Sequence, residues 1–291
     1  GIGQDRRIAC GKVISMRPRI ETAALIVLCV AAAWVPTVSA APQKIVSLAP
    51  ATTEVLFSIG AGDRVIGVTS FCDYPEAAKE RQKIGGMSNP SLEAIVALKP
   101  DLVVMSTDGN PKEVDDRLRG MGLSTFVWTA RTIAELPAGI RSLAKGVGSV
   151  DQGERLAREI EKTLSSSKFS VQSSKKRKVL YIVWPEPLLV AGPGTAIDDA
   201  IRLLGHDNAA AKANTSYPRY SIEELIREAP DVLIIGKGSG MDMQAVSQGI
   251  LKKLSTVPAV RNNKVCYVSD SLYRLGPRVV MGIEELDACI R

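Results

Sequence analysis

Two stretches decide the fold: Ser91-Leu92-Glu93-Ala94-Ile95-Val96-Ala97-Leu98-Lys99-Pro100-Asp101-Leu102 and Ser221-Ile222-Glu223-Glu224-Leu225-Ile226-Arg227-Glu228-Ala229-Pro230-Asp231-Val232. Ser, Glu, Pro and Asp recur at identical offsets. In each copy the serine can cap a helix, and the glutamate sits in the first turn, where the helix dipole favours an anion. Each Pro-Asp ends the helix before the next strand. Caps of this kind are general devices, so the match alone leaves coincidence open. One copy lies in each half of the chain, at the same step of a β/α alternation, and that placement points to two related lobes.

Outward from the first copy, the alternation is regular. Ile45–Leu48 is a short apolar strand, and the Pro50 to Glu54 segment starts a helix that Gly60 and Gly62 stop. Val65–Val68, Asp101–Met105 and Ser124–Trp128 read as strands, and Ser91–Lys99 and Val114–Met121 as helices. Short connections between alternating elements are the signature of a parallel sheet. Right-handed crossovers then place the loops that follow the strands along one edge, where ligands bind. Around the second copy the same pattern returns, with strands at Val179–Val183, Val232–Ile235 and Val265–Val268 and helices at Ala196–Leu204 and Gln244–Leu254. Trp184, which follows a strand and precedes Pro185-Glu186-Pro187, is expected to line the cleft.

Between the halves, Asp151–Ser165 differs. Leu156, Ile160 and Leu164 recur every four residues among charged side chains, which predicts one amphipathic helix of about four turns. A polar run follows. The expected organisation is a leader at 1–40, an N-terminal lobe at 41–148, a bridging helix and linker at 149–172, and a C-terminal lobe at 173–291. The fold class is α/β: two Rossmann-like lobes joined by a single long bridging α-helix, with a ligand cleft between them.

Residues 1–40 read as a targeting segment. Met16-Arg17-Pro18-Arg19 is basic, Ala23–Val35 is apolar but too short to span a bilayer, and Val38-Ser39-Ala40 suits signal peptidase. The expectation is a secretory signal cleaved after Ala40 and a periplasmic protein; the alternative is a membrane anchor. Of the +6 formal charge, +3 remains downstream of Ala40, with 32 basic and 29 acidic residues. That is too mild and too dispersed for a nucleic-acid partner. Cys72, Cys266 and Cys289 lie outside the leader, so one disulfide at most is possible and one thiol is left over. His206 is the single histidine, which argues against transition-metal sites and against histidine-assisted catalysis. Gly60-Ala61-Gly62 and Gly192-Pro193-Gly194-Thr195 lack the remaining residues of dinucleotide and phosphate loops. An enzyme is not expected, no cofactor is implied, and nothing suggests an obligate oligomer.

From Ile45 onward the chain resembles the periplasmic solute-binding proteins of ABC importers for cobalamin, haem and ferric siderophores, and is most similar to their cobalamin-binding members. The residues that carry the resemblance are Leu48–Glu54, Ser70–Pro75, the two stretches quoted above, Tyr217–Ser221, and Ser269-Asp270 with Arg274–Arg278. It implies a monomeric receptor that captures a small molecule, a corrinoid such as cobalamin, and delivers it to the permease dimer of an ABC importer in the inner membrane. It also implies ligand contacts at Pro50, Phe71, Tyr217, Asp270 and Arg274, and permease docking through Glu93 and Glu223. Physically, Phe71 and Tyr217 offer flat faces to a large ring. Asp270 and Arg274 suit peripheral amides or one another. Two carboxylates on two lobes suit a two-fold basic surface, or stabilise only their own helices.

Two positions depart from the cobalamin pattern. Met87 and Ser106 stand where tryptophans are expected, and the expected second-lobe disulfide lacks a partner, since Cys289 is near one position but Leu204 occupies the other. Haem, with Tyr74 or Tyr217 as an axial ligand, and a ferric siderophore facing Arg219, Arg274 or Arg278, therefore remain alternatives.

Overall fold

Strand β1, Ile45–Ser47, is fully buried because both its faces are covered: Ile45 points into one apolar cluster and Val46 into another. In the computed structural model, which describes residues 41–166, 175–237 and 242–291, this strand is the centre of the first sheet. The leader with its expected cleavage site, residues 167–172 of the linker and the first two residues of the expected C-terminal lobe lie outside the described residues.

The first sheet is wholly parallel. Helix α1 (Pro50–Ser58) leads to β2 (Val65–Val68), a short helix α2 (Glu76–Lys79) and β3 (Gln82–Lys83). Helix α3 (Leu92–Ala97) leads to β4 (Leu102–Ser106), then α4 (Lys112–Gly120) and β5 (Thr125–Trp128). The order β3-β2-β1-β4-β5 is doubly wound about β1. Helix α1 begins at Pro50 itself, which fits the first helical turn, where no amide partner is needed.

Two further helices follow. Helix α5 (Leu136–Gly146) escaped the sequence reading; α6 (Val150–Leu164) is the bridging helix. They pack side by side at a close approach, where a Cβ on Gly153 would lie 2.2 Å from the Ala144 methyl. The buried stripe of α6 is Gly153, Ala157 and Ile160, with Leu156 and Leu164 partly buried at its margins. Small residues thus replace leucines at the centre of the expected stripe, because a neighbouring helix, not a loose core, covers it.

The second lobe repeats the first with one change. Strand β6 (Lys178–Pro185) runs beyond its expected end and folds back as β7 (Leu188–Val190), antiparallel to it. Helix α7 (Ala196–Leu203), β8 (Asp207–Asn208), α8 (Ile222–Glu228), β9 (Val232–Gly236), α9 (Met243–Lys253), α10 (Pro258–Arg261), β10 (Val265–Val268) and α11 (Val279–Ile290) complete it. The order is β10-β9-β6-β7, with β8 parallel to β6. Side chains alternate strictly: Val179 and Tyr181 face one cluster, Leu180 and Ile182 the other.

The quoted repeat is structural. Ser91 accepts from the Ala94 amide and Ser221 from the Glu224 amide, capping α3 and α8. Lys99 and Ala229, both before the proline, take φ of +49° and +47°. Asp101 accepts from the Gln43 and Lys44 amides and Asp231 from the Lys178 amide, so each hooks the start of its central strand. One apolar cluster runs from Ile45 and Val104 through Ala157 and Ile160 to Val179, Ile234 and Leu286. The lobes therefore share a core through α6. Wide separation would expose it, so closure is confined to small motions.

Candidate ligand-binding cleft

The loops that follow the strands of both sheets meet around a cavity of about 300 Å³. Each wall residue owes its place to a strand end. Ala49, Pro50 and Ala51 follow β1; Phe71 follows β2; Ser106 and Asp108 close β4; Trp128 and Ala130 close β5. From the other lobe come Tyr181, Val183 and Trp184 of β6, Gly236 and Lys237 at the end of β9, and Asp270, Tyr273, Arg274 and Leu275 after β10. This is the edge at which parallel sheets bind ligands. Phe71 is 51% exposed, so the cavity opens to solvent there.

Of the residues expected to contact a ligand, Pro50, Phe71, Trp184, Asp270 and Arg274 line this cavity. Tyr217 stands beside the lining. Its hydroxyl donates to Asp108 at 3.3 Å, across the lobes, and its ring meets Tyr273 edge-on at 6.0 Å. Burial first, then the Asp108 carboxylate, pushes its phenol above the ordinary value. Trp184 is fixed by its indole N–H, which donates to the Glu186 carbonyl at 2.8 Å. Met87 and Ser106, the two departures from the cobalamin pattern, are both in the lining. Trp128 and Tyr273 were missed by sequence reading. The only signal for Trp128 was an aromatic at the end of a strand.

Beneath the cavity lies a charged floor that joins the lobes. Glu54 of α1 is 1% exposed and accepts from Arg278 at 2.9 Å (Nε) and 2.5 Å (Nη2). Arg278 also approaches Asp270 at 3.3 Å, donates to the Ser271 hydroxyl at 3.2 Å, and lies 4.4 Å over the Tyr74 ring. Arg274 pairs with Asp270 at 2.8 Å and reaches Asp73 of the first lobe. Burial pushes the Glu54 carboxyl up against the pull of Arg278 and Arg274. Buried ions of this kind persist because each is matched by a partner. One polar group in the wall has no such match: the Tyr181 hydroxyl, buried against Gly236, has no hydrogen-bond partner among the described residues. A buried donor left unmade costs free energy, and a ligand acceptor would remove that cost.

Glu93 and Glu223 are both exposed, in the first turns of α3 and α8. Ser91 donates to Glu93 at 3.2 Å. One turn on, Val96 and Ile226 are equivalent in the repeat and are also exposed, at 43% and 39%. Among the described residues, no group of three or more His, Cys, Asp or Glu side chains could hold a metal ion, and no helix is long and apolar enough to cross a membrane.

Comparison with known proteins matches residues 45–272 to the periplasmic binding protein family. A vitamin B12-binding protein of Pectobacterium atrosepticum is 28% identical over 85% of this chain and 88% of its own. A protein of the same name from Vibrio parahaemolyticus is 29% identical over 84% and 88%. Among solved structures, the periplasmic haem-binding protein RhuT of Roseiflexus sp. RS-1 is 29% identical, with a TM-score of 0.77 over 85% of this chain and 97% of its own. The periplasmic vitamin B12 binding protein BtuF of Vibrio cholerae, 24% identical, shares the fold with a TM-score of 0.76 over 87% and 98%.

Proposed function

The chain belongs to the periplasmic binding protein family, a non-enzymatic component of transport, and on that premise we propose that it captures a corrinoid, cobalamin, between its lobes and delivers it to an ABC importer of the inner membrane. The observation that carries this reading is the division of the cleft. Pro50, Phe71, Met87 and Trp128 of the first lobe and Val183, Trp184 and Leu275 of the second give apolar surface, while Lys237, Asp270 and Arg274 gather charge on the second-lobe side. A broad apolar ring edged with amides needs both: area to bury its face, and donors and acceptors for its periphery. The curated relatives named above carry the same ligand in their names.

Haem is the second reading, favoured by the likeness to the haem-binding structure. Axial ligation by Tyr217 is opposed by its surroundings. Its hydroxyl is engaged with Asp108, and its phenol is pushed up, so the phenolate that iron prefers is suppressed.

Calorimetric titration with cyanocobalamin tests the proposal. Saturable binding near one to one with submicromolar affinity is expected. No saturable heat, together with a Soret shift on adding haemin, would transfer the site to haem.

In the proposed cycle the leader is removed after Ala40, and the protein acts as a monomer whose two lobes meet a permease dimer. Glu93 and Glu223, each with an exposed apolar neighbour one turn on, form the paired docking contact. Replacing both glutamates with arginine is expected to abolish uptake in a transport assay while leaving cyanocobalamin affinity unchanged. Undiminished uptake would refute the docking role.

A further inference from the structure

The loop from Ser269 to Arg278, which carries the charged wall, is tied to α11 in its first half. At its start the Ser269 amide donates to Glu285 of α11 at 2.6 Å. Leu272 packs on α11 at Gly282, where an added Cβ would lie 2.6 Å from the Leu272 amide nitrogen. Just outside these ties sit two of the three cysteines of the described residues. Cys266 is on β10 and Cys289 in the last turn of α11. The Cys266 thiol donates to the Cys289 carbonyl oxygen at 3.7 Å. Both side chains are partly buried.

We infer that Cys266 and Cys289 form a disulfide in the exported protein, closing a covalent ring around the loop that supplies Asp270, Tyr273, Arg274 and Arg278 to the cleft. The inference rests on the periplasmic reading, because oxidising compartments are where structural disulfides persist. The two cysteines lie on adjoining elements, β10 and the last turn of α11, and the Cys266 sulfur already touches the Cys289 backbone, so a bridge between them needs only local side-chain movement. The third thiol is excluded. Cys72 is buried in the first lobe, where its sulfur is 3.2 Å from the Thr53 and Thr69 hydroxyls.

The chemistry is thiol–disulfide exchange with an external disulfide, a protein dithiol oxidant or glutathione disulfide. One cysteine thiolate attacks the external disulfide, forming a mixed disulfide and expelling one thiolate. The second cysteine thiolate attacks the mixed disulfide and expels the other. Two protein thiols are oxidised, one external disulfide is reduced to two thiols, and the two protein protons pass to the expelled thiolates and solvent. Burial, and then contact with Cys266, push the Cys289 thiol up to about 12, so it is a poor attacking group once α11 has docked.

The test is peptide mapping of the full chain, expressed with its leader, recovered from the periplasmic fraction and alkylated without reductant. A parallel sample is reduced, unfolded and refolded with glutathione disulfide. Trypsin should yield Val265–Arg274 joined to Val279–Arg291 in both, and separate peptides after reduction. Reductant should lower the melting temperature of the wild type by about 5 °C, and leave a Cys266→Ser/Cys289→Ser variant unmoved. Alkylated thiols at 266 and 289 in both samples, a bridge to Cys72, or a covalent dimer would overturn the inference. A bridge after refolding with thiols in the periplasmic sample would overturn it for the exported protein and count against the export reading. Cyanocobalamin titration of the same samples reports on the ligand reading independently.

Discussion

The two walls of the cleft are built on opposite principles. The first-lobe wall is mostly apolar, with Ser106 and Asp108 as its polar members, and its aromatic Phe71 is 51% exposed at the cavity mouth. Phe71 itself contributes little to holding the protein together, whereas Trp128 behind it is part of the core. The second-lobe wall carries Arg274, 8% exposed, which is tied to Asp270 and to Asp73 of the opposite lobe, and it rests on the Glu54–Arg278 pair. Surface that binds by area can stay loose until a ligand covers it. Groups that bind by charge must be held in place beforehand, and the partners that hold them are also partners in the fold. Affinity and stability should thus separate on the first wall and remain coupled on the second.

The floor gives the largest expected effect. Glu54→Gln removes the charge from the pair, leaves Arg278 with its 3.3 Å approach to Asp270, and should cost about 1.5–3 kcal/mol of stability, measured by urea denaturation. A loss below about 1 kcal/mol would mean that the floor does not brace the second wall. Next is Arg274→Gln, which should lower cyanocobalamin affinity about ten-fold and the melting temperature with it. An unchanged melting temperature would break the coupling claimed for that wall. Phe71→Ala should also weaken binding about ten-fold, but without a change in melting temperature, which would sharpen the contrast. The smallest effect belongs to Tyr181→Phe. Removing the unpartnered hydroxyl should stabilise the free protein by about 1 kcal/mol or less in the same denaturation assay. A destabilised variant would show that the hydroxyl has a partner in solution.

The repeated Ser-x-Glu to Pro-Asp unit revealed the two lobes because its information is local. A serine caps its own helix, and a Pro-Asp closes it, whatever the rest of the chain does. The alternation of apolar strands with amphipathic helices gave the fold class for the same reason. What failed were features that depend on a neighbour distant in sequence. Helix α5 contains two glycines and a proline, and is stabilised by packing against α6. The return of β6 as β7 turned the second sheet mixed where a parallel one was expected, and Trp184 belongs to the strand rather than to a loop after it.

By itself, then, the sequence determined the β/α alternation, the two related lobes, the helix between them, and the strand-end loops that face the cleft. These follow from caps, turns and apolar periodicity within a dozen residues. Only the tertiary structure decided that Glu54 pairs with Arg278 across 224 positions, that Trp128 and Tyr273 join the wall, and that Cys266 meets Cys289. Periodicity says that a side chain is buried or exposed. Which partner it meets is set by how the sheets and helices pack, and that is a property of the whole chain.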